Sequence, residues 1–259
     1  DIDYYKKTRN YIKPSDLPKK FNTDIHYGCP YDCGLCTDHE QHSCVSIVEL
    51  TDRCNLTCPT CYAGSSPSYG RHRTLKEVKD MLDVVVDSEG NPDIVQLSGG
   101  EPTIHPNFFE ILEYAKTLPI QHIMVNTNGI RLADDDEFAK RLNEYMPGIE
   151  VYLQFDSFKP AVYKKLRGKD LGTKKQKALD KLEQFNIHST LVATLERGQN
   201  DDEIGTIIDF ALGYRCLRGV TFQPTQFAGR VENFNPSKNK YTLTEVRQSI
   251  LDQTDVFKE

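Results

Sequence analysis

The feature that most narrows the fold of this chain is a repeated switch of hydrophobic period. Six short runs rich in β-branched residues lie at 45–50, 93–97, 122–126, 149–155, 188–195 and 219–225. Between and after them lie segments with apolar residues at helical spacing: TLKEVKDMLDVVV, NFFEILEYAKTL, DDEFAKRLNEYM, PAVYKKL with TKKQKALDKLEQF, DDEIGTIIDFAL, and a closing TLTEVRQSILDQT. Thr74 stands where the first helix needs a cap, and acidic residues open the third, as the helix dipole favours. Repeated βα units imply a parallel sheet with right-handed crossovers. Six of them predict an α/β fold, a partial (β/α)6 barrel rather than a closed eightfold one. Barrels of this kind carry their chemistry on loops at the C-terminal strand ends. The chain's unusual stretches fall there: CNLTCPTC, SGGEP, NTNG, FDS, LERGQN and QPTQFAGR.

The length of 259 residues and 38% hydrophobic content suit one large core or two small ones. We expect three parts: a lead-in and cysteine loop over 1–44, the barrel over 45–228, and a helical extension over 229–259. The lead-in includes KPSDLPKKF, whose prolines resist helix. The chain opens on Asp1 without a methionine, as a fragment would. A net charge of −6 argues against a nucleic-acid surface, which needs a basic face. No apolar run approaches the roughly 20 residues of a membrane helix, and no signal peptide is evident. The expectation is a cytoplasmic protein, with transient docking at a membrane surface left open.

Seven of the eight cysteines fall between Cys29 and Cys61. Thiols bunched in short loops behave as metal ligands, not as a disulfide scaffold, and suit a reducing compartment. The second group, Cys54, Cys58 and Cys61, has the spacing C-x-x-x-C-x-x-C. Three thiolates can hold three irons of a 4Fe–4S cube, whose full ligation takes four. The fourth iron is then open to a substrate, as in metal sites that keep a position for catalysis. The first group, Cys29, Cys33, Cys36 and Cys44, has four thiols and can close a second, auxiliary 4Fe–4S cluster. Structural zinc is the alternative, with Cys₄ ligation or with His39 or His42 replacing a thiol. Both histidines otherwise read as hydrogen-bonded loop residues. Cys216 stands alone, either a small buried hydrophobe or a remote ligand.

The three-cysteine loop after the first strand, with SGGEP after the second, resembles the radical S-adenosylmethionine (SAM) superfamily over residues 45–228. GCPYDCGLCTDHEQHSC running into VELTDRCNLTCPTC, together with FQPTQFAGR, is similar to the subfamily of archaeal tetraether lipid synthase and of relatives proposed to methylate a pterin precursor. The resemblance implies that Cys54, Cys58 and Cys61 hold a cluster that cleaves SAM to a 5′-deoxyadenosyl radical, which abstracts hydrogen from an unactivated C–H. It further implies that Gly99 and Gly100 let the backbone approach SAM, and that Glu101 accepts from its ammonium. A helix-start carboxylate is the plainer reading of Glu101. Asn126, Asn128, Gln154 and Asp156 reach ribose or carboxylate, or else cap turns at strand ends. Asn200 lies near the adenosine or caps a helix. The family's aromatic residue before the third cysteine is here Thr60, which leaves Tyr62 as the nearest ring for adenine. Arg230 binds a carboxylate or phosphate, or is a surface charge.

Two chemistries follow: C–C coupling of isoprenoid lipid chains, or radical methylation of a pterin-type or other small polar substrate. Either needs a reductant such as ferredoxin or flavodoxin. A non-catalytic electron carrier or zinc module is the third reading, and a GGE motif is foreign to it.

Overall fold

The computed structural model describes residues 43–257. Cys29, Cys33, Cys36, His39 and His42 lie outside the described residues. Each predicted strand forms, with ends shifted by a residue or two: β1 Ser46–Thr51, β3 Ile94–Gly99, β4 His122–Thr127, β5 Ile149–Gln154, β6 Ser189–Leu195 and β7 Leu217–Pro224. They make one sheet in the order β1-β3-β4-β5-β6-β7, and every adjacent pair is parallel. The sheet is the open partial barrel that six βα units predict, with β1 and β7 at its edges.

The strands are buried because their apolar residues meet helix faces. Leu50, Leu97, Val125, Val151, Leu153 and Leu191 are wholly buried in the sheet. Helix α1 (Leu75–Glu89) brings Val78 and Leu82 to this core, and α2 (Phe108–Thr117) brings Ile111 and Leu112. Each such side chain contributes about 1.5–3 kcal/mol by leaving water. Thr74 caps α1 in a full capping box with Glu77.

Between β4 and β5 the chain forms two helices, α3 (Ile130–Asp134) and α4 (Asp136–Asn143), where the sequence suggested one. The Asp135 side chain starts α4 by accepting from Phe138 N. After β5 come α5 (Pro160–Arg167) and α6 (Gly172–Gln184), and after β6 comes α7 (Ile204–Leu212). Gly205 of α7 sits against the carbonyl of Gln253, where a Cβ would overlap it. That contact seats the last helix, α9 (Leu243–Gln253), which follows the single turn α8 (Pro236–Asn239). Among the described residues no helix is long and apolar enough to cross a membrane.

One pairing escaped the sequence reading. Strand β2 (Thr60–Cys61) and strand β8 (Arg230–Val231) form a two-residue antiparallel ladder. It ties the chain beyond β7 directly to the cysteine loop.

Candidate active site

The C-terminal strand ends surround a cavity of about 320 Å³. Cys54, Cys58 and Cys61 form one wall of it. Gly99, Gly100, Asn126, Asn128 and Gln154 line it from the ends of β3, β4 and β5, and Tyr62 stands at its edge. Nine of the predicted positions therefore meet in one place. Cys44 is exposed, and its three companions in the first group lie outside the described residues.

The cysteine loop is held from several sides. Cys54 and Cys58 are buried, and Cys61 is half-buried. The Cys54 sulfur accepts from Leu56 N at 3.4 Å. Asn128 Nδ2 donates to Asn55 Oδ1 at 2.7 Å and approaches the Cys54 sulfur at 3.9 Å. Arg230 does not lie free. Its guanidinium donates to the carbonyls of Cys58, Gly64 and Ser65 at 2.6–3.2 Å, clamping the loop.

The donor set fits a 4Fe–4S cube. Among the described residues no three His, Cys, Asp or Glu side chains converge on a point where a single ion could sit. A cube asks for something different, one thiolate on each of three irons, and a wall of three thiols supplies that. Burial pushes the Cys54 thiol up to about 12, helped by the charge of Glu101, while the Leu56 N–H opposes it. Burial also raises Cys58, against the pull of Arg167. Thiols so disfavoured as free anions need positive charge to ionise, and a bound metal supplies it.

The structure gives several of the expected residues partners within the protein. Gly99 and Gly100 line the cavity, but their missing side chains make room for the protein's own backbone. A Cβ on Gly99 would overlap Thr51 O, and one on Gly100 would overlap Arg53 O. The close approach lets Gly100 N donate to Thr51 O at 2.7 Å and Glu101 N to Arg53 O at 2.9 Å. It thereby locks the start of the cysteine loop onto β3. Glu101 lies outside the cavity lining and is 1% exposed. It accepts from Thr103 Oγ1 and Thr127 Oγ1 at 2.6 Å and from Asn128 N at 2.7 Å. Its carboxylate orients the NTNG turn, the helix-start reading extended to a second strand end.

Asp156 is fully buried and lies outside the lining. It holds Arg167 in a bidentate pair, Nε to Oδ2 at 2.7 Å and Nη2 to Oδ1 at 2.5 Å. Its charge partner keeps the carboxyl below the usual range despite burial. Asn200 is likewise outside the cavity. Its side chain donates to Asp156 O and Thr194 O at 2.7 and 2.9 Å and accepts from Glu196 N, fastening the ends of β5 and β6. Cys216 is wholly buried in the core beside β7, the small-hydrophobe reading.

Two buried cations at the site were missed. Arg167 lines the cavity and places its guanidinium by Cys58. Lys175 is 0% exposed, and its ammonium donates to Asn128 O at 2.6 Å. Lys175 had a legible signal: it stands three, four and seven residues before Ala178, Leu179 and Leu182, on the buried stripe of α6. Arg167 had none, since its partner is set by the fold.

Burial lowers the Lys175 pKa to about 8. The unfolded chain therefore binds more protons than the native state between about pH 8 and 10.5, so this group makes stability rise with pH across that window. Cys54, raised from 9.0 to about 12, works in the opposite direction. The Lys175→Met variant should lose the rising contribution. Urea titrations of both proteins at pH 8 and pH 10 should give a stability difference that changes by on the order of 2 kcal/mol.

The chain matches the model of a family described as the Radical SAM superfamily over residues 48–211. It is 34% identical over 259 residues to the 7,8-dihydro-6-hydroxymethylpterin dimethyltransferase of Methanocaldococcus jannaschii, covering 98% of this chain and 50% of that protein. It is 28% identical over 192 residues to the GTP 3′,8-cyclase of Syntrophomonas wolfei, covering 72% of this chain and 57% of that one. The chain thus spans about half the length of the curated relatives it matches. Among solved structures, Streptococcus suis SuiB bound to S-adenosylmethionine shares the fold, with a TM-score of 0.64 at 17% identity over 80% of this chain and 45% of that one.

Proposed function

This chain belongs to the radical SAM superfamily, and on that premise we propose that it methylates a pterin-type or similar small polar substrate by a radical route. The observation that carries the choice is the 34% identity to a pterin dimethyltransferase, and the cavity wall offers the polar groups such a substrate needs. Besides the thiols its lining includes Asn126, Tyr152, Gln154, Thr194, Gln223 and Gln226. Amides and hydroxyls can hydrogen-bond a polar ring, and they stand beside the apolar Leu56, Val192 and Pro224 of the same lining. The same relative favours this choice over lipid C–C coupling.

Cys54, Cys58 and Cys61 would hold the SAM-binding 4Fe–4S cluster. When bound, that cluster supplies the electron that cleaves S-adenosylmethionine and so provides the hydrogen-abstracting radical. The chain's own residues do the rest. Burial of Cys54 and Cys58 keeps water from their side of the site. Asn128, oriented by Glu101 and Lys175, fixes Asn55 within the cysteine loop. Arg167, fixed by Asp156, sets a positive charge beside Cys58. Cys29, Cys33, Cys36 and Cys44 would build the auxiliary cluster, and a ferredoxin or flavodoxin would serve as reductant. We read 45–228 as the catalytic barrel, 1–44 as its cluster-bearing lead-in and 229–259 as its extension.

The test is anaerobic product analysis on the reconstituted, reduced protein with SAM and 7,8-dihydro-6-hydroxymethylpterin. The expected products are 5′-deoxyadenosine and methionine from one SAM, and S-adenosylhomocysteine from a second whose methyl group appears as a mass gain on the pterin. In a parallel reaction offered an isoprenoid glycerol phospholipid, 5′-deoxyadenosine with coupled isoprenoid chains, alongside an unaltered pterin in the first, would reverse the choice.

A further inference from the structure

Helix α6 carries four lysines. Lys174 pairs with Asp134, Lys181 pairs with Asp136, and Lys177 is exposed. Lys175 turns inward and is 0% exposed. An ammonium taken out of water is costly unless opposite charge answers it.

Lys175 meets the cysteine loop through one residue, Asn128. Its Nζ donates to Asn128 O at 2.6 Å, while Glu101 accepts from Asn128 N at 2.7 Å. The backbone of Asn128 is therefore held between a cation on α6 and an anion that follows β3. The Asn128 side chain in turn reaches Asn55 Oδ1 at 2.7 Å and approaches the Cys54 sulfur at 3.9 Å. Lys175 lies outside the cavity lining, so it acts on the site through Asn128 and through space.

The charges buried around it divide into two pairs. Asp156 and Arg167 answer each other in their bidentate contact. Glu101 and Lys175 stand on opposite sides of Asn128, so their fields reach the thiols separately. Glu101 accepts from four donors, Thr103 N, Thr103 Oγ1, Thr127 Oγ1 and Asn128 N, as an ionised carboxylate does. Burial lowers the Lys175 pKa to about 8, which leaves the ammonium charged at pH 7, and Cys58 is among the groups whose charge it feels.

We infer that Lys175 tunes the cluster: held on Asn128 behind Cys54, its ammonium raises the reduction potential of the three-thiol cube. Reduction brings in one electron from an external donor and makes this buried region one unit more negative. Net charge and hydrogen bonds near the sulfurs set iron–sulfur potentials. A cation acts further where water is excluded than it does in water. Lys175 thus favours electron entry, and Glu101 opposes it. The inference depends on a cluster at Cys54, Cys58 and Cys61 and on no choice of substrate.

A potentiometric titration of the full chain, reconstituted anaerobically and followed by electron paramagnetic resonance, tests this. The midpoint is read from the signal that Cys58→Ala loses, which separates it from that of a second cluster. Lys175→Met should make reduction about tenfold less favourable, a midpoint about 59 mV lower for one electron. Lys175→Arg keeps the charge and should hold the parent midpoint. Glu101→Gln removes the opposite charge and should move the midpoint upward. Lys177→Met removes an exposed charge from the same helix and should leave it unchanged. Lys175→Gln keeps a donor for Asn128 O and is read in place of Lys175→Met if that variant loads no iron. A parent midpoint in the neutral variants would overturn the inference. So would an equal fall in Lys175→Met and Lys175→Arg, or a fall in Glu101→Gln, since loosening of the turn and not charge would then be at work. Loss of the cluster from both neutral variants would make Lys175 a support of the loop and overturn it as well. If the parent chain itself gives no signal that Cys58→Ala removes, the cluster assignment fails and takes this inference with it.

Discussion

Replacing any one of Cys54, Cys58 or Cys61 with alanine should remove the SAM-cleaving cluster and cut 5′-deoxyadenosine formation by about 10³-fold or more. The effect is large because the three thiols act as a unit: two thiolates leave two irons of the cube exposed to solvent. Folding should survive, since Cys54 and Cys58 pack mainly with each other, Leu56, Tyr163 and Leu171 in a small cluster apart from the main core. Cys216→Ala is the control. It lies in the main core and should cost stability while leaving iron loading unchanged. Iron and sulfide analysis with product chromatography reads both results.

The second large effect is on stability. Asp156→Ala should destabilise the fold by about 3–5 kcal/mol, because it leaves the Arg167 guanidinium buried without its counter-charge. It also removes the acceptor of Thr194 N at 3.1 Å. Converting both partners, Asp156→Leu with Arg167→Met, should recover much of that loss while leaving Cys58 without its neighbouring charge. Urea denaturation separates the two, since only the single change strands a charge. A double variant as unstable as the single one would mean that packing at Asp156, rather than charge, carries the cost.

How much of this was legible follows from the physics of each part. The six strands were readable because buried parallel strands are short apolar runs, such as DIVQL and VYLQF, bounded by polar turns. The three thiols were readable because a cluster-binding loop puts its ligands close in sequence. The β2–β8 ladder was not, because two residues carry no period and their partners lie about 170 positions apart. The acidic residues were ambiguous for a related reason. Glu101 and Asp156 stand at strand ends beside the cavity, where ligand contact and internal support look alike in sequence. Only the fold shows that Thr127 and Asn128 claim one carboxylate and Arg167 the other. The glycines are a milder case. Close backbone approach was the right reason for Gly99 and Gly100, and Thr51 and Arg53 were the unforeseen neighbours.

The central claim is that the three-thiol wall binds a cluster with an iron open to S-adenosylmethionine. Electron paramagnetic resonance of the reduced, reconstituted chain, recorded with and without S-adenosylmethionine, tests it most directly. The account predicts a 4Fe–4S signal whose g-values shift on adding S-adenosylmethionine, with the shift absent from Cys58→Ala. A signal from the parent chain that is indifferent to S-adenosylmethionine, or one that keeps its shift in Cys58→Ala, would contradict it.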